Sequence, residues 1–410
     1  MLAIFLLLTS LCAVEPSIIP KRKGPQFLNE EGYLLLPAPY SLPGIGEGIA
    51  YFTSFNNYLG NADIFASKVE GDVDGYFLGL WDLHLIKNRL FFDLTFHDMN
   101  KVGMSNYSSR GINSLSDDYT VLEFDKNRDS SLKTTLSFFQ RRLEFIGQYS
   151  KSENRLSAIK SSGGALIESL TDGKSTTTHQ RSFAVVMDLT DHRQNPTKGF
   201  RTEIKYRQSE PASDFDPDYY TLNYNFTGYL PVGRQSTVAL NYFKSDAIVT
   251  REGETDKLLI AQELGFGCGG SCSESIQAII NNKYQENRLG NARSLGGAYR
   301  LRAYPDGRFT GAHSETVGLE FRWNLSAERK PFNLYFMKDI RTGVQFALFH
   351  EIGTVADERS DLWKERRSAS GMGTRFVMGS GVIYRFDYAW ADEGSEISIM
   401  IDYPWEGDFD

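Results

Sequence analysis

The chain has 410 residues, 41% apolar and 13% aromatic, with 28 Phe, 21 Tyr and a formal net charge of −8. That length allows two or three soluble domains or one large barrel, and the aromatic content excludes a disordered chain. Acidic residues are in excess and no basic block is longer than Lys21-Arg22-Lys23, which excludes nucleic acid as a partner.

At the amino terminus, Leu2, Ile4, Phe5, Leu6, Leu7, Leu8 and Leu11 form an uncharged apolar run closing at Ser10-Leu11-Cys12-Ala13. The run has the length of a signal-peptide core and is too short to cross a bilayer, and Glu15, Pro16 and Pro20 end any helix begun there. Residues 1–13 read as a signal peptide. Leu11 stands where a lipoprotein at Cys12 would need a small residue. Residues 14–45, with Pro37, Pro39 and Pro43, read as a short periplasmic segment, well below the size of a small domain. That leaves 46–410 as the single folded domain. No later stretch approaches the ~20 apolar residues of a membrane helix, so any membrane crossing is made by strands.

Hydrophobicity then alternates with a period of two for most of the length. The first strand is expected near Gly46–Asn56. Within Leu90–His97 the even positions are apolar while Asp93, Thr95 and His97 share the other face. Phe200, Thr202, Ile204 and Tyr206 alternate with Arg201, Glu203, Lys205 and Arg207, and Tyr220–Phe226 alternates in the same way. Val317, Leu319, Phe321, Trp323 and Leu325 alternate with Gly318, Glu320, Arg322 and Asn324. Tyr384, Phe386, Tyr388 and Trp390 alternate with Arg385, Asp387 and Ala389, and a last strand is read over Glu396–Trp405.

A soluble sandwich and a membrane barrel both produce this alternation. Three features favour the barrel. Several runs reach the ~9–11 residues that cross a bilayer. Tyr220, Trp323, Tyr403 and Trp405 fall near strand ends, as interfacial girdles do. Each polar face also carries several charges, which a dry core does not hold unpaired. Long polar connections (Lys101–Asp118, Ser150–Gln180, Thr250–Leu295) lie on one side, and short turns such as Asp191–Gly199 on the other. About sixteen strands are counted, an even number that lets an antiparallel chain close.

In the longest loop, Cys268 and Cys272 read as a disulfide clip, because no His lies nearby to suggest a metal site. Ile276, Ile279 and Ile280 place a short helix within Ser273–Asn287. No Ser or Cys stands in a nucleophile elbow, His97-Asp98 reads as a polar strand end, and His350 should face lipid or the interface. The sequence points to no enzyme and to no cofactor or metal.

Ser294-Leu295-Gly296-Gly297-Ala298-Tyr299-Arg300-Leu301-Arg302-Ala303-Tyr304, followed by Asp306-Gly307-Arg308-Phe309, resembles the signature of the outer-membrane assembly and secretion superfamily. That superfamily comprises BamA-type surface-antigen barrels, TamA and the two-partner secretion transporters. Gly318–Arg322, Leu348–Val355 and Tyr384–Ala389 resemble its later strands in order, and Asn195–Phe200 resembles one of its turns. The resemblance implies an all-β fold, a transmembrane antiparallel barrel with a long inward-folded loop. It marks Gly296, Gly297, Leu301, Tyr304 and Gly307 as signature-loop positions, and it pairs the loop's Arg302 with acids on the wall. The strand pattern separately places Glu320 and Glu351 on inward faces. Ala303 replaces the signature glycine, where a positive φ would cost roughly 1 kcal/mol, and Glu351 replaces the usual Asp.

The resemblance further implies a monomer in the bacterial outer membrane, in contact with lipid and lipopolysaccharide, that inserts or translocates unfolded protein clients. The soluble polypeptide-transport repeats are not expected. A weak seam would join Gly46–Asn56 to Glu396–Trp405. The alternative is a passive barrel or a narrow plugged pore.

Overall fold

The computed structural model describes residues 19–405 except 25, 28–30, 171–174, 267–271, 328–331, 335–336, 341, 379–382 and 402. The expected signal peptide, Cys268 and the acidic end Glu406–Asp410 lie outside the described residues.

Sixteen antiparallel strands close into a barrel. In chain order they are β1 (Gly32–Leu42), β2 (Gly46–Tyr58), β3 (Ala62–Gly71), β4 (Asp74–Ile86), β5 (Leu90–Tyr107), β6 (Tyr119–Phe138), β7 (Leu143–Ser161), β9 (Ser175–Asp188), β10 (Gly199–Glu210), β11 (Asp218–Val232), β12 (Ser236–Arg251), β13 (His313–Ala327), β16 (Thr342–Ala356), β17 (Arg367–Met378), β18 (Ile383–Ala391) and β19 (Gly394–Ile401). Three short strands lie in the connections: β8 (Leu166–Ser169) pairs with β7, and β14 (Phe332–Leu334) forms a hairpin with β15 (Met337–Ile340). Two helices, α1 (Lys257–Glu263) and α2 (Glu274–Leu289), stand between β12 and β13, capped by the side chains of Asp256 and Ser273. Ile260, Phe266, Ile276 and Ile280 bury against Ile159 of β7, so the helices sit over the long-loop end of the barrel. Among the described residues no helix is long and apolar enough to cross a membrane; the strands make the crossing.

The alternation sorts the side chains as the period of two requires. Leu240 and Leu319 are direct cross-strand partners and remain 47% and 49% exposed, whereas their neighbours Asn241 and Glu320 are fully buried. Apolar side chains coat the outside, and ionic groups face the lumen. β5, β6 and β7 run to 18, 20 and 19 residues, more than a bilayer needs. Much of what reads as loop in Lys101–Asp118 and Ser150–Gln180 is therefore strand extended beyond the membrane.

Two expectations are corrected at the seam. The first wall strand is Gly32–Leu42, eleven residues paired to β2 from Gly32 opposite Asn56 to Leu42 opposite Gly46. The barrel therefore includes much of the segment expected to precede it, and the seam joins β1, not Gly46–Asn56, to β19. Prolines suggested an irregular stretch there, but proline is compatible with a strand whose N–H side faces away from its one full ladder. The last strand also stops at Ile401, short of Trp405. β1 meets β19 at one registered pair, Ser41 opposite Ile399. Continuing that register would set Pro39 against Ile401 and Pro37 against Tyr403, and neither proline has an N–H to donate. Tyr403 and Trp405 instead lie in the lumen, fully buried, and are not girdle residues. The β14–β15 hairpin reaches the lower edge of β1, pairing Lys338 with Tyr33 and Met337 with Leu34.

The lipid-facing assignment predicts that Leu240→Arg or Leu319→Arg costs about 2–4 kcal/mol in equilibrium unfolding from lipid vesicles, if the pair sits near the midplane. A cost below 1 kcal/mol for both would place that face in contact with water.

Candidate functional site in the barrel lumen

The connection from α2 to β13 folds back into the barrel. Leu295 and Phe309 close its neck through a pair of backbone hydrogen bonds, and Asp306 N–H donates to the Pro43 carbonyl at 2.8 Å. Gly296, Gly297 and Gly307 adopt φ of 110°, 84° and 67°. A Cβ on Gly296 would stand 2.1 Å from the Pro305 carbonyl oxygen, which no side chain tolerates. The non-glycine residue of the loop with positive φ is Leu301, at 52°, and not Ala303 as the signature comparison suggested. Leu301 is fully buried with Leu295, Tyr304, Phe309, Phe349 and Val355, packing that holds this backbone in place.

That turn delivers Arg302 to the centre of the lumen. Its backbone N–H donates to Glu351 Oε2 at 3.0 Å and its Nε to Glu351 Oε1 at 3.1 Å. Nη1 donates to Asp387 Oδ2 at 2.7 Å and Nη2 to Glu320 Oε2 at 3.1 Å, while the guanidinium stacks 3.4 Å from the centre of the Phe349 ring. Glu320, Glu351 and Asp387 come from β13, β16 and β18, so one side chain of the loop bridges three wall strands. Charge-assisted hydrogen bonds of this kind are roughly twice as strong as neutral ones.

Three more guanidiniums surround the same acids. Arg322 Nε donates to Glu320 Oε1 at 2.7 Å, Arg375 Nη2 to Glu320 Oε2 at 2.8 Å, and Arg385 Nη1 to Asp387 Oδ2 at 2.6 Å. Arg385 also donates to the Ala298 carbonyl of the loop at 2.8 Å. Nearer the long-loop end, Arg308 grips Glu393 through two bonds, 2.8 and 2.7 Å, and Tyr304 donates to Asp392 at 2.6 Å. The loop is therefore fastened to the wall at two levels.

From the opposite end the segment that follows β19 enters the same network. Trp405 Nε1 donates to Glu351 Oε1 at 2.8 Å, sharing that oxygen with Arg302, and the Trp405 carbonyl accepts from Asn225 at 2.7 Å and Arg300 at 3.3 Å. Tyr403 lies over Arg322, 4.1 Å from ring centre to guanidinium, and its hydroxyl donates to Asn195 Oδ1 at 3.0 Å.

Of the residues singled out from the sequence, Arg302, Glu320 and Glu351 are brought together, and Gly296, Gly297, Leu301 and Tyr304 shape or fasten the loop. Asp387 was not anticipated as a partner, although the alternation around Tyr384–Ala389 already put it on the lumen face. Tyr403 and Trp405 were missed because a strand-end aromatic reads the same whether it faces lipid or turns inward. Cys272 is disulfide-bonded. His350 is exposed and bonded to Ser370. Among the described residues no group of three or more His, Cys, Asp and Glu is placed to hold a metal ion.

These features define a class: a closed transmembrane barrel whose lumen holds an inward loop fastened to the wall through Arg302 and Arg308. Residues 87–398 match the Omp85 superfamily domain, and the chain belongs to that family. Membership places it in the bacterial outer membrane with a general insertion- or translocation-type role. It is similar in fold to CdiB from Escherichia coli, with a TM-score of 0.51 at 12% identity over 92% of this chain and 62% of that one. BamA from Haemophilus ducreyi lacking POTRA domains 1–3 gives a TM-score of 0.46 at 15% identity, over 92% of this chain and 69% of that one. CdiB from Acinetobacter baumannii gives 0.46 at 12% identity, over 91% and 60%. The chain thus spans less than two thirds of either CdiB. No curated protein matches it.

Removing Arg302 takes the guanidinium from buried Glu351 and one donor each from Glu320 and Asp387, so Arg302→Ala should cost roughly 3–5 kcal/mol in unfolding from detergent micelles. Arg302→Glu should cost more, and adding Glu351→Arg should recover part of the loss. Absence of recovery in that pair and in the Glu320→Arg pair would show that these contacts do not hold the loop.

Proposed function

We propose that this barrel assists the insertion of other outer-membrane proteins at its seam, with Arg302, Glu320, Glu351 and Asp387 acting as the latch that fixes the lumen loop. The observation that carries the reading is the seam itself. β1 and β2 share eleven registered pairs, whereas β1 and β19 share one. A sheet edge left unpaired is a template for another strand. The latch keeps the wall rigid from β13 through β18, so that strain on the barrel falls on the seam beside it.

Insertion is favoured over secretion through the lumen, because the loop and Tyr403–Trp405 both lie within it. A translocating chain would have to displace both. The same placement supports the second reading, a passive plugged barrel.

Two measurements separate these readings. The protein in vesicles should speed the folding of a urea-unfolded transmembrane β-barrel by about tenfold or more over empty lipid, equivalent to roughly 1.4 kcal/mol off the barrier. No acceleration dismisses the insertase reading. In planar bilayers the wild-type channel should be nearly closed and Arg302→Ala markedly more open; equal conductance would mean that the loop is not a plug.

A further inference from the structure

Between the wall and the descending connection lies a polar cavity that shares no residue with the latch. Its volume is about 180 Å³, and Arg207 and Ser209 of β10 with Tyr219 and Thr221 of β11 bound one side. Arg293 and Ser294 bound the other, in the connection that leads from α2 to the Leu295–Phe309 neck. The wall supplies its half through the alternation. Ile204 turns outward and is exposed, while Lys205, Thr221 and Asn223 are buried on the lumen side. Arg207 and Ser209 continue the parity of Lys205 toward the long-loop end, with Arg207 registered opposite Thr221. Both arginines, Ser209 and Ser294 are half-buried, so water and small solutes reach the cavity.

The connection supplies the other half on a fixed frame. The Arg293 N–H donates to Ser245 Oγ at 2.9 Å, and its carbonyl accepts from Ser314 Oγ at 2.7 Å. The Ala292 N–H donates to the Gly311 carbonyl at 2.8 Å, and Arg110 donates to the Gly290 carbonyl at 2.9 Å. Other elements thus hold this backbone, and the cavity is shaped before any ligand arrives.

The chemistry of the lining decides what fits. Two guanidiniums and the hydroxyls of Ser209, Tyr219, Thr221 and Ser294 border one small space, and no carboxylate lines it among the described residues. The acids nearby are engaged or set back. Asp357 pairs with Arg110 at 2.7 Å and Glu286 with Lys283 at 3.6 Å, while Asp306 acts on Arg293 from outside the lining. Guanidiniums and hydroxyls offer hydrogen bonds and positive charge, a combination suited to an oxyanion. A tetrahedral anion accepts from both sides of the cavity at once, whereas a planar carboxylate addresses one.

We propose that this cavity is a phosphate-binding site whose ligand is a small soluble phosphate, either inorganic phosphate or a short phosphomonoester. β10 and β11 stand between the cavity and the bilayer, so a lipid headgroup is not the source. A phosphate held there joins the β10–β11 wall to the connection just before the loop neck. It adds a third fastening to those made by Arg302 and Arg308, one whose hold varies with the concentration of a solute.

The test titrates inorganic phosphate into the full chain in a neutral maltoside detergent, by calorimetry at low ionic strength where screening is weak. One saturable site per chain is expected. Arg207→Gln and Arg293→Gln should each weaken it about tenfold or more, as the loss of a charge-assisted hydrogen bond requires. Ser209→Ala keeps both charges and should weaken it severalfold. Phosphate should raise the melting temperature of the wild-type protein and leave that of Arg207→Gln unmoved.

Absence of saturable binding overturns the proposal, and so does equal affinity in both arginine variants. Should either of these variants lose the heat-modified mobility of a folded barrel, Ser209→Ala decides, and unchanged affinity there overturns the site. Lipopolysaccharide added to the same micelles should not compete with phosphate; competition overturns the assignment to a soluble ligand.

Discussion

A sheet that crosses a bilayer has no water to satisfy an open edge, so its first and last strands must find partners within the molecule. In this protein that constraint meets a first strand carrying proline at two alternate positions. The consequences reach most of what is distinctive in the structure. β19 stops at Ile401 where its continuation would face Pro39 and Pro37. The seam is left to one registered pair and to the hydroxyls of Ser41 and Tyr384. The β14–β15 hairpin covers the lower edge of β1, and Tyr403 and Trp405 find their partners inside the lumen.

The lumen takes these residues because it is organised by charge. Four buried guanidiniums and three buried carboxylates lie within bonding distance of one another, and an arrangement of that kind is stable only while every member stays in place. Arg302 is the member contributed by the loop and Trp405 the member contributed by the segment after β19, and both bond the same oxygen of Glu351. The loop, the wall and the segment after β19 thereby meet at one carboxylate. A change at the seam that draws on the end of β19 acts on the loop through a chain of direct contacts.

The residues that carry the family resemblance are also those that need their identity most strongly. Gly296 lies against the backbone of Pro305 and tolerates no side chain, and Arg302 satisfies three acids at once. Around them the loop is permissive. Ala303 stands where the family has glycine, and the positive φ lies at Leu301, held by apolar packing.

Local pattern was enough to read the wall. A period of two, runs long enough for a bilayer and charges confined to one face determine a barrel of about sixteen strands with Glu320, Glu351 and Asp387 pointing inward. The signature around Arg302 pointed to the basic residue that would meet Glu320 and Glu351. The helix over Ser273–Asn287 was equally legible, since its spacing of isoleucines belongs to no strand. What tertiary structure alone decided was the seam and everything attached to it. Whether Pro37 and Pro39 lie outside the barrel or on its edge depends on which neighbour each backbone group faces, a property of pairing between distant segments. Whether Trp405 belongs to lipid or to the lumen depends on Glu351, Asn225 and Arg300, far away in sequence. Alternation records that a side chain differs from its neighbours; only the closed barrel determines what lies opposite.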